Sequence, residues 1–337
     1  MNDNIPLRLN GLGGGINKMC GIAGIYKINS INSNDTELLN LMNKKQKHRG
    51  PDDDGIWNDN NCALGHVRLS IIDLSHDGHQ PFFSDDERFV LTYNGEIYNY
   101  IELKLELEKF GFRFKTKTDT EVLLKAYQHW GKDCLSKFNG MFAFAIYDKV
   151  SNDLFIARDR VGVKPLNYTL INDKFYFASE TKSLKIIPNI NLSINNQAIF
   201  DYFVFNRTDI WDETFHNEIK RLPKGHWAII NSNGIKIRRW WNPADYIQNI
   251  NYDISLQEIY KKIEEIFVSS VKLRMRSDVP VGSCLSGGLD SSIITGIVAT
   301  YFPELKDNYK TFTAAFPGFD KDETAFVDLL QKKYHFQ

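Results

Sequence analysis

The residues Ser286–Ser292, SGGLDSS, restrict the C-terminal fold more than any other string in this 337-residue chain. They follow a short apolar run, DVPVGSCL, and precede a helical pattern, SSIITGIVATYF, and a second strand-like run, KTFTAAF. A strand, a loop, a helix and another strand in this order are the opening of a doubly wound α/β domain. Because a parallel sheet needs several such units, we expect residues 255–337 to be an incomplete domain.

The composition of this loop indicates an anion site. Its glycines allow successive backbone N–H groups to face one cavity, its serines add hydroxyl donors, and the following helix adds its positive end. The lysine of a P-loop is missing, and Asp290 suits an anion site only if a cation such as Mg²⁺ bridges it to phosphate. An ordinary glycine-rich turn with a serine cap is the alternative. We predict a pyrophosphate-binding loop, with Asp290 as the magnesium ligand, formed by Leu285, Ser286, Gly287, Gly288, Leu289, Asp290, Ser291 and Ser292.

Residues 20–210 interleave short strand patterns with helical patterns, which indicates an α+β domain. The strand patterns dominate both ends of this region, and helices lie between them, one starting at Asp35 and one at a Thr118–Glu121 capping box. The Asn94-Gly95 pair predicts a tight turn. This arrangement favours two sheets covered by helices. Residues 211–254 are more polar and irregular, and we predict a linker there.

Cys20 follows Met19 directly, and it is chemically special only if it becomes the first residue. The α-amino group of a terminal residue has a pKa of about 7.7–8.0, so it can act as general base for the neighbouring thiol. Residues 1–18 contain four glycines and no periodicity. We therefore expect residues 1–19 to be a disordered or untranslated leader that ends at a start codon for Met19. A buried structural cysteine is the alternative for Cys20.

The composition limits the classes of molecule that the chain is expected to bind. The chain has 41 basic and 42 acidic residues, so its net charge favours neither a nucleic acid nor an anionic membrane surface. No apolar run reaches the roughly 20 residues that span a bilayer. The four cysteines are scattered and form no C-x-x-C pair, which predicts free thiols in the cytoplasm, with Cys62, Cys134 and Cys284 buried. The histidine spacing fits no zinc pattern.

Six strings resemble, in this order, the glutamine amidotransferase domain of the N-terminal-nucleophile class: MCGIAGIY, HRGPDDDG, HVRLSIIDLS, NGEIYNY, TDTEV and GMFAFAIYD. SGGLDSS is similar to the signature of the ATP pyrophosphatases, and together the strings resemble glutamine-hydrolysing asparagine synthetases of the B type. The resemblance implies a four-layer αββα N-terminal-nucleophile hydrolase followed by an incomplete α/β nucleotide α-hydrolase-like domain. It also implies ATP-dependent amidation of aspartate with ammonia taken from glutamine.

The same resemblance implies roles for single residues. Cys20 is the expected nucleophile, and Asn94 and Gly95 are the expected oxyanion hole. Glutamine would be held by charged residues of both signs and by one pocket wall, namely Arg68, Leu69, Ser70, Ile71, Ile72, Glu96 and Asp119. Taken alone, Asp119 also suits a helix cap, Asn94-Gly95 a hairpin turn and Arg68 a surface position. HRGPDDDG taken alone also suits an acidic loop, and we expect it to have a structural role near the pocket. We expect the string RDRVGVKPL to pack loops rather than to perform chemistry.

The resemblance further implies that the substrates are glutamine, aspartate and ATP and that the reaction uses Mg²⁺ but no tightly bound organic cofactor. It leaves a homodimer open as the assembly. We expect glutamine hydrolysis once the chain is trimmed to Cys20, and no asparagine synthesis from an incomplete second domain. Three alternatives stay open. The chain is an amidotransferase that makes glucosamine 6-phosphate or phosphoribosylamine, a relative that amidates another carboxylate, or an inactive truncated product.

Overall fold

The structure, a computed structural model, describes residues 19–27, 31–208, 212–247, 254–305, 309–316, 318–320 and 322–334. The described residues form two compact units that divide near residue 248. The predicted leader lies outside the described residues except for Met19.

The first unit alternates strands and helices along the chain. Its strands are β1 (Gly21–Lys27), β2 (Asp53–Asn58), β3 (Cys62–Arg68), β4 (Phe82–Phe83), β5 (Phe89–Ile97), β6 (Gly140–Asp148), β7 (Asp153–Arg158), β8 (Asn167–Ile171), β9 (Lys174–Ala178), β10 (Lys220–Arg221), β11 (His226–Asn231) and β12 (Gly234–Arg239). Its helices are α1 (Ser33–Lys45), α2 (Tyr100–Lys109), α3 (Asp119–Trp130), α4 (Cys134–Lys137), α5 (Thr181–Leu184) and α6 (Asn196–Phe205).

These strands build two antiparallel sheets of six strands each. Sheet 1 has the order β10-β8-β9-β1-β3-β2, so the first strand of the unit lies in the interior of its sheet. Sheet 2 has the order β12-β11-β7-β6-β5-β4. In antiparallel strands successive side chains point to opposite faces, so each strand contributes to two layers of the core.

The two sheets lie face to face, with helices on their outer faces. In β1, Ile22 and Tyr26 pack between the sheets, whereas Ala23 and Ile25 pack against the buried side of α1. In β5, Val90 joins the core between the sheets. The neighbouring positions of β5, Leu91 and Tyr93, pack against α2 and α3. The predicted four-layer αββα architecture is therefore confirmed.

The predicted turn at Asn94-Gly95 is wrong. Strand β5 continues through both residues, with Asn94 opposite Ala143 and Gly95 opposite Phe142 in β6. A Cβ atom on Gly95 would lie 2.3 Å from the carbonyl oxygen of Met141. The glycine is therefore required by close packing against the next strand, not by a reversal of the chain.

Two other local features differ from the expectation. Helix α1 begins earlier than predicted, because Asn32 is its N-cap and Asp35 completes a capping box three residues later. Residues 212–247 contain strands rather than only linker, since β11 and β12 complete sheet 2. Residue 211 and residues 248–253 of the expected linker lie outside the described residues.

The second unit contains a strand–loop–helix–strand order, as predicted. Its elements are α7 (Leu256–Arg274), β13 (Gly282–Cys284), α8 (Leu289–Tyr301), β14 (Lys310–Phe312) and α9 (Thr324–Tyr334). Strands β13 and β14 pair in parallel, which requires the crossover that α8 provides. Ser255 and Glu258 form the predicted capping box at the start of α7.

Arg158 holds two loops of the first unit through hydrogen bonds, and substituting it tests how much these bonds contribute to stability. Its buried guanidinium donates to the carbonyl oxygens of Gly162, Lys164 and Leu222 at 2.8–2.9 Å. We expect Arg158→Lys to lower the free energy of unfolding by at least about 2 kcal/mol, because an ammonium leaves buried carbonyls unpaired at about 1–3 kcal/mol each.

Urea unfolding followed by tryptophan fluorescence measures this change, since all six tryptophans precede residue 248 and report on the first unit. The control is Arg239→Lys, at an exposed position of β12, which should leave the midpoint unchanged. Equal midpoints for the two variants would contradict the expectation.

Candidate active site

A cavity opens where the inward-facing rows of the two sheets change from apolar to polar. The inward row of β3 runs from Leu64 through His66 to Arg68, and that of β5 ends at Asn94 and Glu96. The free space in the cavity is about 40 Å³, which admits a water molecule. Its lining is Met19, Cys20, Arg68, Leu69, Ile71, Ile72, Gly78, Gln80, Tyr93, Asn94, Gly95, Glu96, Thr118, Asp119, Thr120 and Lys164.

Cys20 lies at the entry to β1 with its sulfur in this cavity. Its Sγ accepts from the Leu69 N–H at 3.3 Å and donates to the Leu69 carbonyl at 3.5 Å. Its carbonyl oxygen accepts from Arg49 Nε at 3.0 Å, so the HRGPDDDG string supports the site as expected. Burial raises the pKa of the Cys20 thiol, while the Leu69 hydrogen bond and the nearby cations oppose that rise.

Asn94 carries an amide group that is completely buried, and its nitrogen and oxygen have no hydrogen-bond partner among the residues that the structure describes. Leaving a buried amide unpaired costs about 1–3 kcal/mol, so native proteins rarely do so without a functional reason. The amide belongs to the lining of the cavity that holds Cys20. Such an N–H group can donate to a negatively charged oxygen that forms next to the sulfur.

Arg68 is a buried residue of the cavity wall rather than a surface residue. Its Nη1 donates to the Ser75 carbonyl at 2.7 Å and its Nη2 to the Asp73 carbonyl, so the loop after β3 fixes the guanidinium plane. A guanidinium held by neutral carbonyls keeps its charge available for a carboxylate ligand.

Asp119 and Glu96 add negative charge to the cavity, which a zwitterionic ligand requires in addition to the positive charge of Arg68. Asp119 accepts from the Tyr93 hydroxyl at 2.8 Å and from the Ile97 N–H at 2.9 Å, and burial raises the pKa of its carboxyl. It is not the helix cap, because the Thr118 side chain accepts from the Glu121 N–H at the start of α3. Glu96 is buried and also lines the cavity.

The structure brings most of the predicted residues together, with one exception. Leu69, Ile71 and Ile72 line the cavity, whereas Ser70 is absent from the lining and its N–H donates to Asp52 at 2.8 Å.

Lys164 belongs to the cavity, although its string was expected to pack loops only. The residue is 3% exposed, and its Nζ lies 3.0 Å from the sulfur of Met19. Burial lowers the pKa of its ammonium group. Gln80 is a further lining residue that the sequence did not indicate, and its Oε1 accepts from the Tyr93 N–H at 2.7 Å.

Within the described part of the chain, no histidine lines this cavity. His66 lies behind it, and burial lowers the pKa of its imidazole to about 3, so this ring is neutral. Its Nε2 bonds the Tyr93 carbonyl at 3.0 Å. The cavity therefore lacks the histidine that usually serves a cysteine as general base.

A group of metal-binding residue types supports the loop that holds Arg68. Potential ligand atoms of Asp53, His76 and His79 lie within 4.8 Å of one another, an arrangement that could hold a divalent ion. His79 Nδ1 pairs with Asp53 at 2.7 Å, and the two imidazoles stack. Spacing along the chain did not predict this group, because Asp53 comes from a neighbouring strand.

The SGGLDSS loop of the second unit is folded by its own hydroxyls. Ser291 Oγ contacts Ser286 Oγ at 3.2 Å and donates to the Gly288 carbonyl at 3.1 Å, and Ser292 Oγ donates to the same carbonyl at 2.7 Å. Gly287 has φ +87°, a conformation that suits glycine. Gly288 caps α8, so Asp290 lies exposed in the first helical turn, while Leu285 is buried and anchors the loop.

Comparison with known proteins agrees with this geometry. A family of glutamine amidotransferase domains matches residues 19–241, and an asparagine synthase family matches residues 262–337. A solved structure described as the allosteric regulatory enzyme of purine biosynthesis matches at a TM-score of 0.50 and 20% identity, covering 92% of this chain and 70% of that one. The fold is that of the N-terminal-nucleophile hydrolases. The chain belongs to the glutamine amidotransferase domain family.

Curated relatives extend the likeness over both units. Asparagine synthetase [glutamine-hydrolyzing] 1 of Bacillus subtilis is 39% identical over 316 residues, which cover 93% of this chain and 48% of that protein. A putative asparagine synthetase 2 of Methanocaldococcus jannaschii is 40% identical over 338 aligned positions, which cover 93% and 62%. The chain therefore spans 48% to 62% of the length of these relatives.

All four cysteines are free thiols, but only two of the three that were expected to be buried are buried. Cys62 and Cys134 lie in the core of the first unit, whereas Cys284 is exposed at the end of β13. The short two-stranded pairing in the second unit leaves that position uncovered. Among the described residues no helix combines the length and the apolar character needed to cross a bilayer.

The raised pKa of the Cys20 thiol predicts its reactivity in the 337-residue chain. Because the thiolate is the nucleophile, we expect iodoacetamide to modify Cys20 slowly near neutral pH, with a rate that rises roughly tenfold for each pH unit below its pKa. Exposed Cys284 should react first, and Cys62 and Cys134 should stay unmodified. Peptide mass spectrometry over a pH series measures this order, and modification of Cys20 as fast as Cys284 at neutral pH would contradict it.

Proposed function

We propose that this chain carries the glutamine-hydrolysing half and part of the synthetase half of an ATP-dependent asparagine synthetase. One observation carries the first half of the proposal: the completely buried Asn94 amide, unpaired at both of its polar atoms, shares a cavity with the Cys20 sulfur. The matches to glutamine-hydrolysing asparagine synthetases support the second half.

Cys20 is the nucleophile, and its own α-amine is the general base. The thiol gives its proton to the amine, and the sulfur attacks the side-chain carbonyl carbon of glutamine. Asn94 and Gly95 stabilise the negative oxygen that forms. The C–N bond then breaks as the α-ammonium protonates the leaving nitrogen, which releases ammonia and leaves a γ-glutamyl thioester. Water attacks the thioester, the amine takes its proton, and glutamate leaves as the C–S bond breaks.

This mechanism requires the bond between Met19 and Cys20 to be absent. The match to the amidotransferase family begins at Met19, which supports processing at this point. Met19 also lines the cavity, so its removal frees the amine and enlarges the space for a substrate. We therefore treat residues 1–19 as a segment outside the active enzyme and 255–337 as the start of the synthetase domain. The amidotransferase domain extends beyond residue 210 through β10, β11 and β12.

The charged residues of the cavity suit a small zwitterion. Arg68 offers a guanidinium to the α-carboxylate of glutamine, and Glu96 and Asp119 offer carboxylates to its ammonium group. The backbone of residues 69–72 forms one wall, in which Leu69, Ile71 and Ile72 supply apolar contact and Ser70 braces the turn. A site that requires both charges rejects ligands with only one, because a buried charge would stay unpaired.

In the second unit, the loop from Leu285 to Ser292 binds the pyrophosphate part of ATP. In the complete enzyme, an aspartate carboxylate oxygen attacks the α-phosphorus as pyrophosphate leaves, and ammonia then displaces AMP from the acyl carbon to give asparagine. Asp290 is exposed in the first turn of α8, which fits the single carboxylate by which proteins often hold Mg²⁺ beside phosphates. The ion would neutralise phosphate charge. The substrates are thus glutamine, aspartate and ATP.

Free cysteines throughout the chain support a reducing compartment, and we assign the enzyme to the cytoplasm. Its balanced charge supports small molecules rather than nucleic acid or membrane as partners. No tightly bound organic cofactor has a role in this chemistry. A homodimer is the assembly that we propose to test by light scattering.

The hydrolysis step is tested with a chain whose first residue is Cys20. We expect it to release ammonia from glutamine, whereas the 337-residue chain should not, because its amine is held in a peptide bond. In the trimmed chain, Asn94→Ala should lower kcat about 10²–10³-fold through loss of one oxyanion donor. Asn233→Ala, at an exposed position between β11 and β12, is the matched control. Equal activity of the two chain forms, or of the two variants, would refute the mechanism.

The ATP loop is tested by calorimetric titration. Asp290→Asn should weaken binding of ATP with Mg²⁺ about tenfold, a loss of about 1.4 kcal/mol, and should leave ATP binding in a chelator unchanged. Asp328→Asn, at an exposed position of α9 in the same unit, serves as the control. A loss that is equal with and without Mg²⁺ would exclude Asp290 as the ligand of the ion.

A further inference from the structure

Lys164 is a buried cation that forms no salt bridge among the described residues, although Glu96 lies near enough to favour its charged form. Its side chain is 3% exposed and belongs to the wall of the cavity that holds the Cys20 sulfur. The polar contact of its Nζ within the described residues is the thioether of Met19, at 3.0 Å. A thioether is a weak acceptor, so this ammonium is poorly compensated.

The backbone holds Lys164 in this position from both sides. Its N–H donates to Asp159 Oδ2 at 2.9 Å, and its carbonyl accepts from Arg158 Nε at 2.8 Å. A buried charge without a partner costs several kcal/mol, so a firmly held lysine here lowers the stability of the fold. Costs of this kind are typical of groups that act on a ligand or on a reactive neighbour.

The other charged groups around the cavity are already engaged. Arg68 donates to two backbone carbonyls, and Arg49 pairs with Glu180 at 3.0 Å and donates to the Cys20 carbonyl. Asp159 faces Lys164, but its carboxylate accepts four backbone N–H groups, those of Phe142, Val161, Val163 and Lys164. Glu96 also faces Lys164 and favours its charged form. Because Arg68 is assigned to the α-carboxylate of glutamine, Lys164 is the remaining cation among the described lining residues whose charge can act on Cys20.

We propose that the Lys164 ammonium disfavours the fully protonated form of Cys20, a thiol beside an α-ammonium, so that the form in which sulfur and amine share one proton, the form that attacks glutamine and then protonates the leaving nitrogen, prevails near neutral pH. The inference rests on the proposed function, because the α-amine exists only after Met19 is removed. That removal also takes away the thioether that Lys164 contacts.

The two effects have the same direction. A positive charge favours the ionised thiolate and opposes a second positive charge on the amine, so it lowers the apparent pKa values of the coupled pair. Burial works against the thiolate, and Lys164, Arg68 and Arg49 are the side chains whose charges lower the pKa of the Cys20 thiol again. Without Lys164, the reactive forms should appear only at higher pH. Lys164 is thus a positioning residue and not the proton acceptor.

The test compares Lys164→Met, Lys164→Arg and Lys236→Met in the chain that begins at Cys20. Lys236 is exposed on β12 and provides a methionine control away from the cavity. We expect Lys164→Met to move the acid limb of kcat/KM for glutamine up by about one pH unit, a loss of about tenfold below the limb that vanishes at high pH. Lys164→Arg should restore the limb, KM should change little, and Lys236→Met should match the parent.

A second measurement keeps the proposal testable without turnover. The pH dependence of Cys20 modification by iodoacetamide should shift in the same direction and by the same amount in Lys164→Met. The thermal midpoint of this variant should be equal or higher, since a buried unpaired charge is removed. Lys164→Gln replaces the methionine variant if that one does not fold.

Three results would overturn the proposal. They are an unshifted pH profile in Lys164→Met, a loss that is equal at every pH, and a failure of arginine to restore the limb. If the parent trimmed chain does not hydrolyse glutamine, the proposed function fails, while the iodoacetamide series still decides the role of Lys164.

Discussion

The stacking of two antiparallel sheets face to face is the constraint on which the cavity depends. Alternate residues of each strand must enter the space between the sheets, and elsewhere in that space they are apolar, as Ile22, Leu64 and Val90 are. Toward one end the same rows become polar, through His66 and Arg68 on one sheet and Asn94 on the other. Polar side chains at this end cannot retreat to solvent, because the strand period fixes their direction. The position of the cavity is therefore determined by the register of the strands in the two sheets.

Enclosure between two sheets also determines the electrostatics of the site. Burial raises the pKa values of the Cys20 thiol and the Asp119 carboxyl and lowers that of the Lys164 ammonium, so the environment opposes the charged form of each of these three groups. Fixed dipoles and neighbouring charges offset this penalty in part: Leu69 N–H bonds the sulfur, and the Tyr93 hydroxyl bonds Asp119. Groups held in this way need no rearrangement when charge develops, which is the property that electrostatic catalysis requires.

The sequence predicted the layers of this fold better than its local details. Alternating patterns and caps indicated two covered sheets and a strand–loop–helix–strand unit, because these patterns depend on neighbours along the chain. The Asn94-Gly95 turn was wrong because the pair also suits a strand, and pairing with β6, distant in sequence, decides between the two. The linker prediction failed for a similar reason, since β11 and β12 are short and become stable only against β7. Lys164 was missed because a lone loop lysine carries no spacing signal.

The position of Cys20 is compatible with the proposal that this residue, once terminal, serves as a catalytic group. Termini usually fray, and a frayed amine could not stay within reach of a substrate. Cys20 directly precedes β1, an interior strand that pairs with β3 from Gly21 onward, and the Ile22 N–H bonds Ser179 Oγ at 3.0 Å. The sulfur and the nitrogen of Cys20 are thus fixed one residue from a ladder that is paired on both sides. The proposed terminal nucleophile therefore depends on an interior first strand, because a strand at the sheet edge or a frayed end would not hold the sulfur and the amine in fixed positions.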